Sequence, residues 1–242
     1  MQYHLETIPV WEALEAETAC PFCMLYSKLE QSEVERSLGG SVMEPEARIR
    51  VNETGICAHH HQQLFAMQNR LGHALLCDSH SKEILAKLER TKIGGKTGLF
   101  SSAPGPCEKL AGELRSLTSG CVICQDIDSH MKRYLYTFIH LWKTDKAFLR
   151  KWNESKGLCF PHAAELLDMA ARQLGGAQQQ EFAQSILDSL KRTLGEDEAD
   201  LEWFTLKFDY RNQQKPWGNS RNALERTVNR LRSRCIDSEG NA

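Results

Sequence analysis

No stretch of this chain stays apolar for the roughly 18 residues that a membrane helix needs, so no membrane span is expected. The first residues, MQYHLETIPVWEALEAE, do not run from a basic start into an apolar core, and no secretory leader is read there. Excess charge is missing too: 30 Lys and Arg face 32 Asp and Glu, a formal net charge of −2. A chain so balanced has no global attraction for nucleic acid or for an anionic membrane. Strand signals are lacking apart from a weak one at 48–52, RIRVN. No H-E-x-x-H, Ser–His–Asp arrangement, phosphate-binding loop or dinucleotide fingerprint stands out. These absences point to a cytoplasmic, all-α protein without a recognisable catalytic motif. Its 242 residues, 41% of them apolar and 26% charged, suffice for a packed core.

What the chain does have is cysteine: nine, an odd number. In a reducing compartment such a set reads as metal ligands or redox groups rather than disulfides. Six of the nine fall into a pattern that occurs twice. ACPFC at 19–23 is followed by GICAHHHQQL at 55–64, and GCVIC at 120–124 by GLCFPHAAEL at 157–166. Cys23 to Cys57 is 34 positions and Cys124 to Cys159 is 35, so the chain is read as an internal duplication. The first module is 1–91 and the second 107–194. Between them 92–106, KIGGKTGLFSSAPGP, has the composition of a linker, and 195–242 is an added helical clamp.

Apolar spacing predicts helices over 21–37, 58–90 (with a bend at Gly72), 122–142, 145–154, 161–174 and 176–194. The third carries Ile123, Ile127, Met131, Leu135, Phe138 and Leu141 along one stripe. Glu33 and Glu35 fall on a solvated helix face in this reading.

Two donors three residues apart at a helix start lie on one face, a turn apart. Cys20 with Cys23, and Cys57 with His60, are such pairs; Cys121 with Cys124, and Cys159 with His162, are two more. Taken in chain order they make two Cys₃His sets: Cys20, Cys23, Cys57 and His60, then Cys121, Cys124, Cys159 and His162. Cys₃His is a structural zinc set, which predicts two zinc ions per chain. Three thiolates and one divalent ion leave a charge near −1, which suits a helix N-terminus. An iron–sulfur cluster is the competing occupant. A redox dithiol at CPFC is a third reading, but it lacks the preceding strand that such motifs follow. Register with the second copy selects His60 from the His59–His61 run and leaves His59 and His61 to solvent. His73, Cys77 and His80, spaced along one helical face, form an incomplete third set or a polar packing patch. Cys107 and Cys235 are read as free thiols.

The tail helix near 220–234 carries Arg221, Arg226, Arg230, Arg232 and Arg234 opposite Leu224, Val228 and Leu231. It is read as docking by its apolar stripe with the arginines in water. Nucleic acid through Arg221, Arg226, Arg230 and Arg234 is the less favoured alternative. Trp203, Phe204, Leu206, Phe208, Tyr210 and Trp217 are read as a buried clamp across both modules, with a partner-binding aromatic patch as the alternative.

PVWEALEAETACPFC, SVMEPEARIRVNETGICAHHHQQLFAMQNRLG, GLCFPHAAELL and KFDYRNQQKPWGNSRNALERTVNRLR together resemble a bacterial family, common in anaerobic Firmicutes, catalogued only as a domain of unknown function. The resemblance spans nearly the whole chain. It implies a cytoplasmic helical protein with paired Cys-rich sites and brings no activity with it. After NRLG this chain departs from the expected apolar pattern at His73 and Cys77. The expectation is a non-catalytic interaction or regulatory protein that binds an unknown protein partner. An enzyme with its site between the modules, or a thiol-redox or iron–sulfur protein, is the alternative.

Overall fold

Four prolines mark where helices begin. Pro21, Pro45 and Pro106 are first residues of helices and Pro161 a second one, positions where the missing N–H has no partner to lose. The computed structural model describes residues 4–16, 18–93 and 105–234. They form the helices α1 (His4–Glu15), α2 (Pro21–Leu38), α3 (Pro45–Thr54), α4 (Ala58–Ala66), α5 (Arg70–Arg90), α6 (Pro106–Thr118), α7 (Val122–Thr144), α8 (Lys146–Glu154), α9 (Phe160–Gln173), α10 (Gly176–Leu206) and α11 (Ala223–Arg232). Short 3₁₀ turns lie at Gly40–Met43, Tyr210–Asn212 and Gly218–Asn222. Among the described residues there is no strand. No helix is long and apolar enough to cross a membrane.

The weak strand expected at 48–52 is the middle of α3. Ile49 and Val51 favour strands locally, but Pro45 starts a helix there and Gly55, at φ +84°, stops it. The break in 58–90 falls at 67–69 rather than at Gly72. Gln68 takes a left-handed φ of 64°, and the Asn69 side chain caps α5 by accepting from the Gly72 N–H at 3.0 Å. The same Asn69 donates to the Leu38 carbonyl at 2.8 Å.

Packing divides the chain into two compact units that do not follow 1–91 and 107–194. Within the described residues, one unit comprises the chain up to Lys28 together with everything from His130; the other is Leu29–Ser129. The junction expected at 194/195 lies inside α10, and of the linker 92–106 the stretch 94–104 lies outside the described residues.

The first unit closes on aromatic side chains. Phe138 of α7 meets Phe148 and Trp152 of α8 edge-on, with centroids 5.0 and 5.3 Å apart, and Phe22 of α2 at 5.4 Å. Trp142 meets Phe182 of α10 at 4.8 Å, and the Trp152 Nε1–H donates to Ser185 Oγ at 2.9 Å. These rings are buried, and each such burial contributes about 1.5–3 kcal/mol. In the second unit Val34, Leu38, Val51, Leu64, Leu76, Val122, Ile123 and Ile127 are buried together with Glu30 and Glu33, so Glu33 is not on a solvated face. Glu33 pairs with Arg36, and Asp126 takes both Arg36 and Arg50. α5 turns Leu71 and Leu85 outward, keeping Leu76 buried and His73, Cys77 and His80 half-buried.

The tail departs in part from its expected orientation: Arg221, Arg232 and Arg234 are exposed as expected, but one arginine and the leucines change places. Leu224 and Leu231 are exposed, while Arg230 is 4% exposed. Its Nε pairs with the equally buried Asp197, and its Nη1 donates to the carbonyls of Lys156 and Leu158 at 3.1 and 3.3 Å. Arg226 pairs with Asp197 and Asp200 at 3.1 and 2.6 Å. The aromatic clamp is not buried as a whole: α10 ends at Leu206, and Phe208 and Tyr210 are 74% and 79% exposed.

Removing Asp197 strands the Arg230 charge inside the protein. We therefore expect Asp197→Ala to cost about 3–5 kcal/mol in urea unfolding. Phe208→Ala should stay within about 0.5 kcal/mol of the parent.

Candidate metal centres

Each of the four repeated motifs places its first cysteine on the residue just before a helix. Cys20 precedes α2, Cys57 α4, Cys121 α7 and Cys159 α9. The backbone then makes the same bond four times: the N–H of Met24, His61, Gln125 and Ala163 donates to the carbonyl of Cys20, Cys57, Cys121 and Cys159. Cys57 and Cys159 occupy the N-cap positions of α4 and α9, yet neither side chain caps its helix, so both sulfurs remain free for other partners.

The glycines ahead of the Cys-x-x-His motifs are conformationally required. Gly55 and Gly157 stand two residues before Cys57 and Cys159 at φ +84° and +81°. A side chain at Gly157 would also meet Ser189 and Thr193 at 3.0 Å. Gly120, ahead of Cys121, lies against α3: a Cβ there would sit 2.3 Å from the Thr54 carbonyl oxygen. Next to it the Val122 N–H donates to the Gly55 carbonyl at 3.0 Å, joining the two motifs.

The structure brings all eight sequence-predicted residues into two four-residue clusters, but it exchanges their partners. Cys20 and Cys23 join Cys159 and His162; Cys57 and His60 join Cys121 and Cys124. Each Cys-x-x-Cys thus meets the Cys-x-x-His of the other sequence copy, which corrects the pairing expected from chain order. Each cluster lies within one compact unit. In the first, His162 Nδ1 is 3.6, 3.4 and 3.1 Å from the sulfurs of Cys20, Cys23 and Cys159, and the Cys23 and Cys159 sulfurs are 3.6 Å apart. In the second, His60 Nδ1 is 3.2, 3.3 and 3.4 Å from Cys57, Cys121 and Cys124, and the Cys57 and Cys124 sulfurs are 3.9 Å apart. Sulfurs so far apart are not bonded, since a disulfide needs about 2.05 Å. Four donors face one point in each cluster, positioned to bind a metal ion.

The electrostatics are those of groups competing for protons. Burial alone lowers the pKa of His162, but hydrogen bonds and charge from Cys159 and Cys23 outweigh it and lift the imidazole to about 10. Hydrogen bonds from Cys20 and Cys23, against the effect of burial, hold the Cys159 thiol far below its usual range, with His162 assisting. Burial, then the two other sulfurs, raises Cys20. In the second cluster burial, then Cys121 and Cys57, push Cys124 up to about 12.

Three neighbouring residues escaped the sequence reading. Glu30 is buried, with Oε1 at 3.0 Å from His59 Nε2 and, beyond hydrogen-bond distance, 3.6 Å from His60 Nε2, which has no hydrogen-bond partner. Its one signal was an acidic residue amid the apolar positions of α2. Ser233, at a left-handed φ of 67°, brings its Oγ to 3.4 Å from Cys23 Sγ. Arg230 grips the carbonyls on either side of Gly157, just ahead of Cys159. Of the other candidates, His59 is largely exposed, while His61 is half-buried with Nδ1 2.8 Å from His73 Nε2. Cys107 is an exposed free thiol, and Cys235 lies outside the described residues.

A family model matches residues 1–238, and the chain belongs to that family, the family of unknown function DUF6062. No curated protein and no solved structure matches the chain.

The approach at Gly120 is tested by one methyl group. Gly120→Ala should lower stability by about 1–3 kcal/mol through the clash with Thr54. Gly112→Ala, mid-helix in α6 with no atom within 4 Å of the new Cβ, should be neutral or stabilising by up to about 1 kcal/mol.

Proposed function

Membership in that family supplies no activity, so we propose from the geometry that this is a protein with two structural zinc ions that serves an interaction or regulatory role rather than a catalytic one. The observation that carries the reading is the spacing of the donor atoms. A tetrahedron with Zn–S near 2.3 Å and Zn–N near 2.0–2.1 Å has S···S edges of about 3.8 Å and S···N edges of about 3.5–3.6 Å. The clusters have S···S distances of 3.6 and 3.9 Å and S···N distances of 3.1–3.6 Å. Four protein donors per ion leave no position for water or substrate, the mark of a structural site. The metal would be held in the first cluster by Cys20, Cys23, Cys159 and His162, and in the second by Cys57, His60, Cys121 and Cys124.

The interaction role draws support from the exposed Leu206, Phe208, Tyr210, Leu224 and Leu231. A cavity of about 760 Å³ within the first unit, lined among others by Lys156, Glu196, Asp197, Asp200, Arg226 and Arg230, is a candidate for an active site. Asp197, Asp200, Arg226 and Arg230 neutralise one another there, and Glu196 pairs with Arg192. Those pairs also weaken the case for Arg226 and Arg230 as nucleic-acid contacts. We also propose that the two motif copies arose by duplication followed by exchange of partners; the matching left-handed Gly55 and Gly157 support this. A reducing cytoplasmic location fits eight free cysteines among the described residues.

Elemental analysis of protein purified without added metal or a histidine tag should find two zinc per chain. Iron with acid-labile sulfide, or neither metal with freely reactive thiols, would overturn the reading. Partner exchange has its own test. Cys20→Ser with Cys159→Ser should leave one zinc by native mass spectrometry, because both residues serve one ion. Cys20→Ser with Cys57→Ser should cost both. Sequential pairing gives the reverse pattern.

A further inference from the structure

The turn at 67–69 folds α5 back against α4 and brings together three donors that neither cluster uses. His61 comes from the first turn of α4; His73 and Cys77, four residues apart, come from one face of α5. Their donor atoms all lie within 4.8 Å of one another. His61 Nδ1 and His73 Nε2 are 2.8 Å apart, and the two rings lie nearly parallel, 23° between planes with centroids 5.1 Å apart. All three side chains are half-buried, so an ion in solution can reach them. His61 and Cys77 also line a cavity of about 140 Å³ with Val51, Ile56, Leu76 and His80. That space exceeds the ~30 Å³ share of one water in the liquid.

We infer that His61, His73 and Cys77 form a third metal site, open and exchangeable, for a late first-row divalent ion, zinc foremost. The donor set decides the class: imidazole and thiolate together suit zinc and its neighbours and disfavour magnesium and calcium. Three protein donors with a cavity beside them leave the fourth position to water or an outside ligand, as in exchangeable and catalytic sites. His80 is not a donor here despite its spacing from His73 and Cys77. Its Nδ1 lies 3.1 Å from the Asn52 carbonyl oxygen, which turns the ring toward α3. An ion at this site would replace the single His61–His73 contact with a cross-link between α4 and α5. Because α4 also carries His60, occupancy at the open site would bear on the helix that holds a ligand of the second cluster. The site does not depend on the identity of the ions in the two clusters.

Cobalt(II) is the probe. Full-length protein is first dialysed against a weak chelator, its retained metal is counted by native mass spectrometry, and Co(II) is then titrated in. The expected result is one further equivalent, with tetrahedral d–d bands and a near-ultraviolet thiolate band. Loss of a mere outer-shell partner weakens a metal site about 10–100-fold, so His73→Ala should weaken this step at least tenfold. Cys77→Ser should abolish the thiolate band, and His80→Ala should leave the titration unchanged. Melting temperatures of the variants near the parent's ensure that loss of binding is not loss of fold. Absence of an added equivalent, or a titration indifferent to His73→Ala and Cys77→Ser, overturns the site. Should the clusters themselves take up cobalt, contrary to a closed zinc reading, the band that persists in Cys77→Ser reports that failure separately.

Discussion

A sulfur on the last residue before a helix, with a second donor one turn later, is the arrangement on which the rest of this molecule depends. Two such helix starts meeting head to head would repel, since each presents the positive end of a helix dipole. Cysteine resolves the conflict: a buried thiolate between two helix N-termini gains from both. Within the first cluster, hydrogen bonds from Cys20 and Cys23 lower the Cys159 thiol, and those from Cys159 and Cys23 raise the His162 imidazole against the effect of burial. Much of the neighbouring sequence serves the arrangement. Gly55 and Gly157 supply left-handed entries, Gly120 lets two backbones touch, and Arg230 fixes the carbonyls that precede Cys159.

Local features of the fold were legible in the sequence; long-range partnerships were not. The apolar stripe of α7 from Ile123 to Leu141 is buried throughout, because a 3.6-residue period is written into consecutive residues. The eight donors could be named for the same reason, since Cys-x-x-Cys and Cys-x-x-His are each contained within a single turn. Which pair meets which depends on the course of the chain between them, and spacings of 34 and 35 residues gave no preference for exchange. The tail misled for a related reason. Arg230 looks solvent-bound when counted by hydropathy, but Asp197, 33 residues earlier, and the carbonyls of Lys156 and Leu158 satisfy it inside the protein. RIRVN misled through propensity: helix-starting and helix-stopping residues on either side outweighed two β-branched side chains.

Adjacent residues of α4 illustrate how a helix can serve two kinds of chemistry. His60 and His61 project about 100° apart. One enters a closed, buried cluster; the other faces α5 beside a cavity. Burial separates their roles: His60 is 1% exposed, whereas His61 is half-buried. The turn at Gln68 and Asn69 therefore sets the geometry of α5 toward α4 and, through it, the surroundings of His61.

The exchange of partners also sets an order of events during synthesis. Cys57 and Cys124 are 67 residues apart, while Cys23 and Cys159 are 136 apart. On a ribosome adding about 5–20 residues per second, the N-terminal pair waits on the order of ten seconds for its proper partners. Before residue 159 is made, the Cys-x-x-His motifs already within reach of that pair are those at 57–60 and 77–80, chemically suitable and topologically wrong. The nascent chain thus meets its most accessible mispairing first, and reaching the finished structure requires either that the early pair stay apart or that thiols change partners once residue 124 emerges.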